Sequence, residues 1–209
     1  MRKKDLIIGI IIGLLIGILI LPLIKIAQPY LYKSIKLVVL LIFILGTPLG
    51  LFVAYLLSKK IAVIWQFAKF GVVGVLNTLV DWGVLAFLPL LFGIAFNVPL
   101  VLIGSLTLTY YSLYKAVSFL VSVINSYFWN KYWVFEGREA AIYKEFTQFL
   151  VISGIGFLIN VLLASVAFIA ISGIGLFNEG QVGILSAALA TAVSMVWNFV
   201  GYKFFVFKK

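Results

Sequence analysis

The chain has 209 residues, of which 65% are hydrophobic and only 11% charged. A soluble domain could not hide that much apolar surface, since about a quarter of an average globular chain is charged, and a mean hydropathy of +1.24 points to lipid as the solvent. The absence of Cys and His excludes disulfides, thiolate chemistry, zinc sites and His-based acid–base catalysis.

The net charge of +10 would suggest nucleic acid in a soluble domain. Here the basic residues sit at the ends of apolar runs, so membrane topology and anionic headgroups account for them, and no nucleic-acid partner is expected.

In chain order, the first apolar run is Leu6 to Ile24, behind Arg2, Lys3 and Lys4. A basic start before an apolar stretch also describes a signal peptide. This run is longer than the usual signal core and no small-x-small cleavage site follows, so a retained helix is expected. Further runs follow at Leu37–Leu57, Phe70–Phe96, about Leu113–Trp129, Phe146–Ile171 and Val182–Gly201. Each is near the ~20 residues that a bilayer core requires. A short amphipathic stretch, Ile61 to Lys69, is expected to separate the second and third helices. Asn97 to Tyr114 links the third and fourth, with room for a short interfacial segment.

Basic residues set the orientation. Arg2, Lys3, Lys4, Lys59, Lys60, Lys69, Lys131, Arg138, Lys144, Lys203, Lys208 and Lys209 fall on one side of six spans. They outnumber Lys25, Lys33, Lys36 and Lys115 on the other. The positive-inside rule places both termini in the cytoplasm, with the cell membrane as the expected location. Tyr30, Tyr32, Trp65, Phe67, Tyr132, Trp133, Tyr143, Tyr202 and Phe204 mark the same borders, where amphipathic rings prefer the headgroup level.

The sequence also repeats. Phe67-Ala-Lys-Phe70-Gly-Val-Val-Gly74 is similar to Phe146-Thr-Gln-Phe149-Leu-Val-Ile-Ser153, and the same offset of 79 pairs Asp81 with Asn160. At an offset of 72, Ser122 pairs with Ser194 and Lys131-Tyr-Trp-Val-Phe135 with Lys203-Phe-Phe-Val-Phe207. Each unit reads as an aromatic-basic entry, two helices and a Lys-aromatic-aromatic-Val-Phe exit. Two spans return a chain to its starting side, so the two units share one orientation, a parallel repeat.

The pattern Phe67-x-x-Phe70-x-x-x-Gly74-x-x-Asn77-x-x-x-Asp81, followed by Ser118-Phe119 and Asn130-Lys131-Tyr132-Trp133-Val134-Phe135, resembles the GtrA-like family. Its members are small four-helix membrane proteins, and a similar module forms the membrane domain of some dolichol-phosphate-mannose synthases. The resemblance covers about Ile64 to Lys209 and implies a role in cell-surface polysaccharide or glycolipid assembly, through polyprenyl-phosphate-linked sugars. It implies no synthase, because the chain lacks a soluble glycosyltransferase domain.

Several residues could carry such a role. Asp81 is the acidic residue well inside a helix, where a carboxylate costs ~2.5–3.5 kcal/mol by insertion scales. It reads as a coupling or gating group between the repeats, or as interhelical glue to Asn77, Asn125, Asn160 or a hydroxyl. Lys69, Lys131 and Lys203 fall at one membrane face, where a lipid phosphate lies; they read equally as snorkelling orientation charges. Asn130 offers a donor to phosphate or sugar hydroxyls, or a helix cap. Gly9, Gly13 and Gly17, with Gly46 and Gly50, are spaced for close helix packing within the hairpin, onto the core or onto a second copy in a homo-oligomer. Glu136, Glu139 and Glu145 read as a solvated face. No paired carboxylates, activated nucleophile or phosphate-cradling glycine loop is evident, so no enzyme, cofactor or metal is expected.

The expected fold is an all-α integral membrane protein of about six transmembrane helices: an N-terminal hairpin (residues 1–60) and a four-helix domain of two parallel two-helix repeats (residues 61–209). The expected function is binding of a polyprenyl-phosphate-linked sugar among membrane lipids, with its translocation as the fuller form of the same expectation. The phosphate would sit near Lys131 and Lys203 and the sugar in the polar gap between repeats. The alternatives are a scaffold that positions a separate glycosyltransferase, and a small ion or metabolite channel.

Overall fold

The computed structural model describes residues 1–103, 106–137 and 142–208. Arg138, Glu139 and Lys209, counted above for orientation or as a solvated face, lie outside these residues. Six long helices dominate: α1 (Lys3–Ala27), α2 (Pro29–Ser58), α3 (Val63–Phe92), α4 (Tyr110–Trp129), α5 (Ile142–Ser172) and α6 (Glu179–Gly201). The chain is an integral membrane protein of the all-α class. Five helices, all but α4, are long and apolar enough to cross a bilayer. Most of their large apolar side chains face outward, the arrangement that lipid solvation demands.

Local chemistry fixes the breaks. Gln28 precedes Pro29, which disfavours helical backbone at Gln28; its ψ of 74° ends α1, and Pro29 opens α2 at a position where its missing N–H costs nothing. Gly93 closes α3 in the left-handed conformation (φ 68°), its N–H bonded to the Pro89 carbonyl at 2.9 Å. Asn178 and Gln181 form a reciprocal capping box that opens α6.

Three stretches differ from the sequence expectation, the first being α2, which opens at Pro29 rather than Leu37 and so takes in Lys33 and Lys36. The stretch Ile61 to Lys69 is no separate amphipathic element, because α3 already starts at Val63; no Gly or Pro interrupts it there. The α3–α4 connection contains a two-stranded antiparallel hairpin, β1 (Pro99–Ile103) and β2 (Leu106–Thr109), with a bulge between Pro99 and Val101. Its β-branched and Leu-rich run forms a strand rather than extending a helix.

By contact the chain groups into two units, Met1–Val134 and Phe135–Lys209. In the first, α1 packs along α2, and both pack on α3. A Cβ on Gly13 would strike the carbonyl of Phe43, and one on Gly9 would come within 2.9 Å of Leu51, so this glycine face is where the hairpin closes. Gly46 and Gly50 have no neighbour within 4 Å; the close approach expected of them is absent among the described residues. Contacts between α3 and α4 run in opposite order along the two helices. Phe92 stacks on Tyr114, Asp81 meets Ser118, Asn77 meets Asn125 and Lys69 meets Trp133. The helices are therefore antiparallel and share the same depth, and α4, 20 residues and ~30 Å long, is the sixth span. Its Ser118, Ser122, Asn125 and Ser126, which lower its hydropathy, are hydrogen-bonded.

In the second unit α5 and α6 pair closely at two glycines. A Cβ on Gly156 would strike the Asn198 amide, and one on Gly201 would strike Ile152. Seven buried positions of α4, α6 and their exits fall in step at an offset of 72, while Val123, Lys131 and Trp133 are buried and their counterparts Met195, Lys203 and Phe205 are not. Tyr114, Ser118, Ser122, Tyr127, Asn130, Val134 and Phe135 are buried, as are Ser186, Ala190, Ser194, Phe199, Tyr202, Val206 and Phe207.

Candidate functional site at the helix exits and polar seams

Both hairpin exits leave their helix through the same rare device. After Trp129 the chain widens into a π-helical turn, Asn130–Val134, and after Gly201 into another, Tyr202–Val206. The turns lie 72 residues apart. π-helical residues are well under 1% of those in soluble proteins; they occur mostly as single turns, frequently at functional sites. Aromatic pairs four or five residues apart brace them: Phe128–Tyr132 at 6.0 Å, Trp129–Trp133 at 6.1 Å and Tyr202–Phe207 at 6.2 Å between ring centroids.

Each turn carries one lysine. Lys131 is 3% exposed, with Nζ 3.4 Å from the Tyr127 hydroxyl and over the Tyr127 and Tyr132 rings at 5.7 and 5.8 Å. Lys203 is half-buried, with Nζ over Phe199 and Phe204 at 5.7 and 5.6 Å. Lys69 is 2% exposed; its Nζ donates to the Trp133 carbonyl at 2.7 Å and lies over Trp65 and Trp133 at 5.2 and 5.7 Å. Lys69 and Lys131 are thus packed inside protein and do not snorkel. Asn130, fully buried, donates through Nδ2 to the Ser126 carbonyl at 2.8 Å, while its Oδ1 meets no donor among the described residues. A buried acceptor left so is costly and suits a hydroxyl or water.

The sequence did not mark Asp5. It is 1% exposed, accepts from Arg2 at 3.0 and 3.3 Å and from the Trp133 indole N–H at 3.1 Å. Trp133 therefore joins the first turn of α1 to Lys69, one through its ring and the other through its carbonyl. The available signal was an acid standing alone in a basic start. Glu145, read as solvated, is buried in α5, because α5 begins at Ile142 and carries it into the helix.

Beyond the exits, polar side chains continue up the helix seams. In α3–α4, Asn125 donates to Asn77 at 3.4 Å and accepts from Trp129 at 3.1 Å. Farther along, Asp81 accepts from Ser118 at 2.7 Å and forms an ion pair with Lys115. Its partners are therefore a hydroxyl and a lysine, and not Asn77, Asn125 or Asn160. In α5–α6, Asn160 donates to Ser194 at 3.2 Å and Thr191 at 3.4 Å, and Ser153 bonds the Tyr202 hydroxyl at 2.7 Å. An open apolar groove of about 530 Å³ lies on the same pair of helices, lined by Ile159 of α5 and by Ala192, Val193, Val196, Trp197 and Val200 of α6. Val200 stands three residues before Lys203, one turn along the same helix.

Comparison with known proteins agrees with this architecture. The chain is 30% identical over 152 residues to the uncharacterized membrane protein YngA of Bacillus subtilis (strain 168), a match covering 72% of this chain and 83% of that protein. Residues 69–207, from the buried Lys69 to the residue after the second π turn, match the family described as GtrA/DPMS, transmembrane domain. The chain is a multi-pass membrane protein that belongs to the GtrA/DPMS transmembrane-domain family, a membrane module of glycosyl-lipid-related biosynthesis.

Proposed function

We propose that this protein binds a polyprenyl-phosphate-linked sugar and moves its headgroup across the cell membrane, without catalysing a covalent step. The observation that carries the reading is the pair of π turns 72 residues apart, each presenting a lysine among aromatic rings. We read the matching turns, and the seven buried positions that α4, α6 and their exits share, as the two copies of a parallel repeat. A chain that returns to its starting side after every two spans presents both exits at one face, the cytoplasmic face by the distribution of Lys and Arg.

Each part of the ligand finds a chemical counterpart. A phosphate is drawn to cations at headgroup depth, and each exit offers one, Lys131 after α4 and Lys203 after α6. Sugar hydroxyls match the amides and hydroxyls of the seams, with the Asn130 Oδ1 as an acceptor. A hydrocarbon chain matches the apolar groove between α5 and α6.

The test is binding and transbilayer movement of a fluorescent short-chain polyprenyl-phosphate hexose by the full chain in liposomes. Lys131→Ala with Lys203→Ala is expected to weaken binding at least about tenfold, since charge-assisted bonds contribute ~1.5–3 kcal/mol each. Unchanged binding would remove both lysines from the site. Absence of movement in the wild type, with copurification of a glycosyltransferase, would replace transport by a scaffold.

A further inference from the structure

A further lysine stands at the other end of α4, away from the exits. Lys115 lies in the second turn of α4 and pairs with Asp81 of α3, whose second oxygen is held by Ser118. Asp81 is twelve residues beyond Lys69 on one helix, so the pair stands ~18 Å farther along the axis, within a hydrocarbon core of ~30 Å. The Asp81 side chain is 16% exposed and the Lys115 side chain 40%.

This asymmetry matters. Ser118 is itself fully buried and anchors Asp81, whereas Lys115 reaches it along a flexible, partly exposed stem. A pair needed only for packing could be replaced by apolar groups at no loss, and intramembrane charges otherwise mark pathways for ions and polar cargo. A phosphate entering beside Lys69 and Lys131 has no cation to meet in the outward half of the α3–α4 seam except this one, among the described residues.

We propose that Lys115 is a relay cation for the phosphate of the transported lipid, and that Asp81 is the internal counter-ion that holds it between passages. On arrival the phosphate displaces the carboxylate from Lys115; on departure Asp81, still bonded to Ser118, takes the ammonium back. This rests on the transport reading given above.

The experiment compares the wild type with Lys115→Arg and with the double variant Asp81→Asn, Lys115→Gln, which keeps a neutral hydrogen-bonded pair. Binding of the fluorescent polyprenyl-phosphate hexose in detergent and its transbilayer movement in liposomes are read separately. The double variant should bind within about twofold of wild type yet move the lipid at least about tenfold more slowly, and Lys115→Arg should retain most of the movement. Wild-type movement in the double variant would overturn the relay. So would a parallel loss of binding and movement, which would make the pair structural. A wild type that binds the probe but moves none of it would reject the transport reading, and the relay with it.

Discussion

Gly13→Leu is expected to open the α1–α2 hairpin and to destabilise the protein by about 3 kcal/mol or more. Overpacking a tight contact costs ~1–3 kcal/mol when the obstacle is a side chain that can yield. Here the first added atom would meet the Phe43 carbonyl, a backbone group of α2 that moves only with its helix. The mirror experiment is Gly46→Ala on α2. Nothing lies within 4 Å of that position, so stability should stay within ~0.5 kcal/mol, as for other substitutions away from special features. Thermal or denaturant unfolding in detergent separates the two. Equal effects would mean that α1 and α2 pack through a different face.

Trp133→Ala carries the second large effect, a loss of ~3–5 kcal/mol. The ring is 1% exposed and among the largest fully buried side chains, so its removal leaves a cavity that helices anchored on both sides cannot close. It also takes away the indole donor to Asp5 and the ring beneath Lys69, leaving the buried carboxylate to Arg2, the residue just before α1. Part of the loss should therefore be shared with Asp5. A double-mutant cycle between Trp133→Ala and Asp5→Asn is expected to show a coupling of ~0.5–3 kcal/mol, the range for residues in direct contact. Tyr132→Ala, one residue away but 53% exposed, should change stability by no more than ~0.5 kcal/mol. If Tyr132 and Trp133 behaved alike, the π turn would not orient its side chains as described.

The spans were legible in the sequence because lipid imposes a coarse, strong rule: a helix must stay apolar for the thickness of the bilayer. Gln28-Pro29 and Gly93 supplied their stops by local chemistry. The partners of the polar groups were not legible, since they depend on which residues face one another across helices. Asp81 and Lys115 are 34 residues apart, and α4 had to be placed antiparallel to α3 before they could meet. Counting lysines for orientation also concealed the difference between Lys59, which is exposed, and Lys69, which is buried ten residues on. The motif Asn130 to Phe135 was visible as text. That it forms a π turn was not, because i→i+5 bonding leaves no periodic signature in five residues. The strand pair at Pro99–Thr109 was hidden by its apolar composition, which in a membrane protein reads first as interface or span.

Central to the account is that the chain after α4 and the chain after α6 emerge at the same membrane face. The protein has no Cys, so single cysteines can be placed directly at Lys60, Tyr143 and Lys208, and at Tyr30 and Leu176, and probed in intact cells with a membrane-impermeant maleimide. The first three should be protected until the cells are opened, and the last two should react from outside. Reaction of Tyr143→Cys from outside while Lys208→Cys stays protected would contradict the parallel repeat and the lipid-phosphate site built on it.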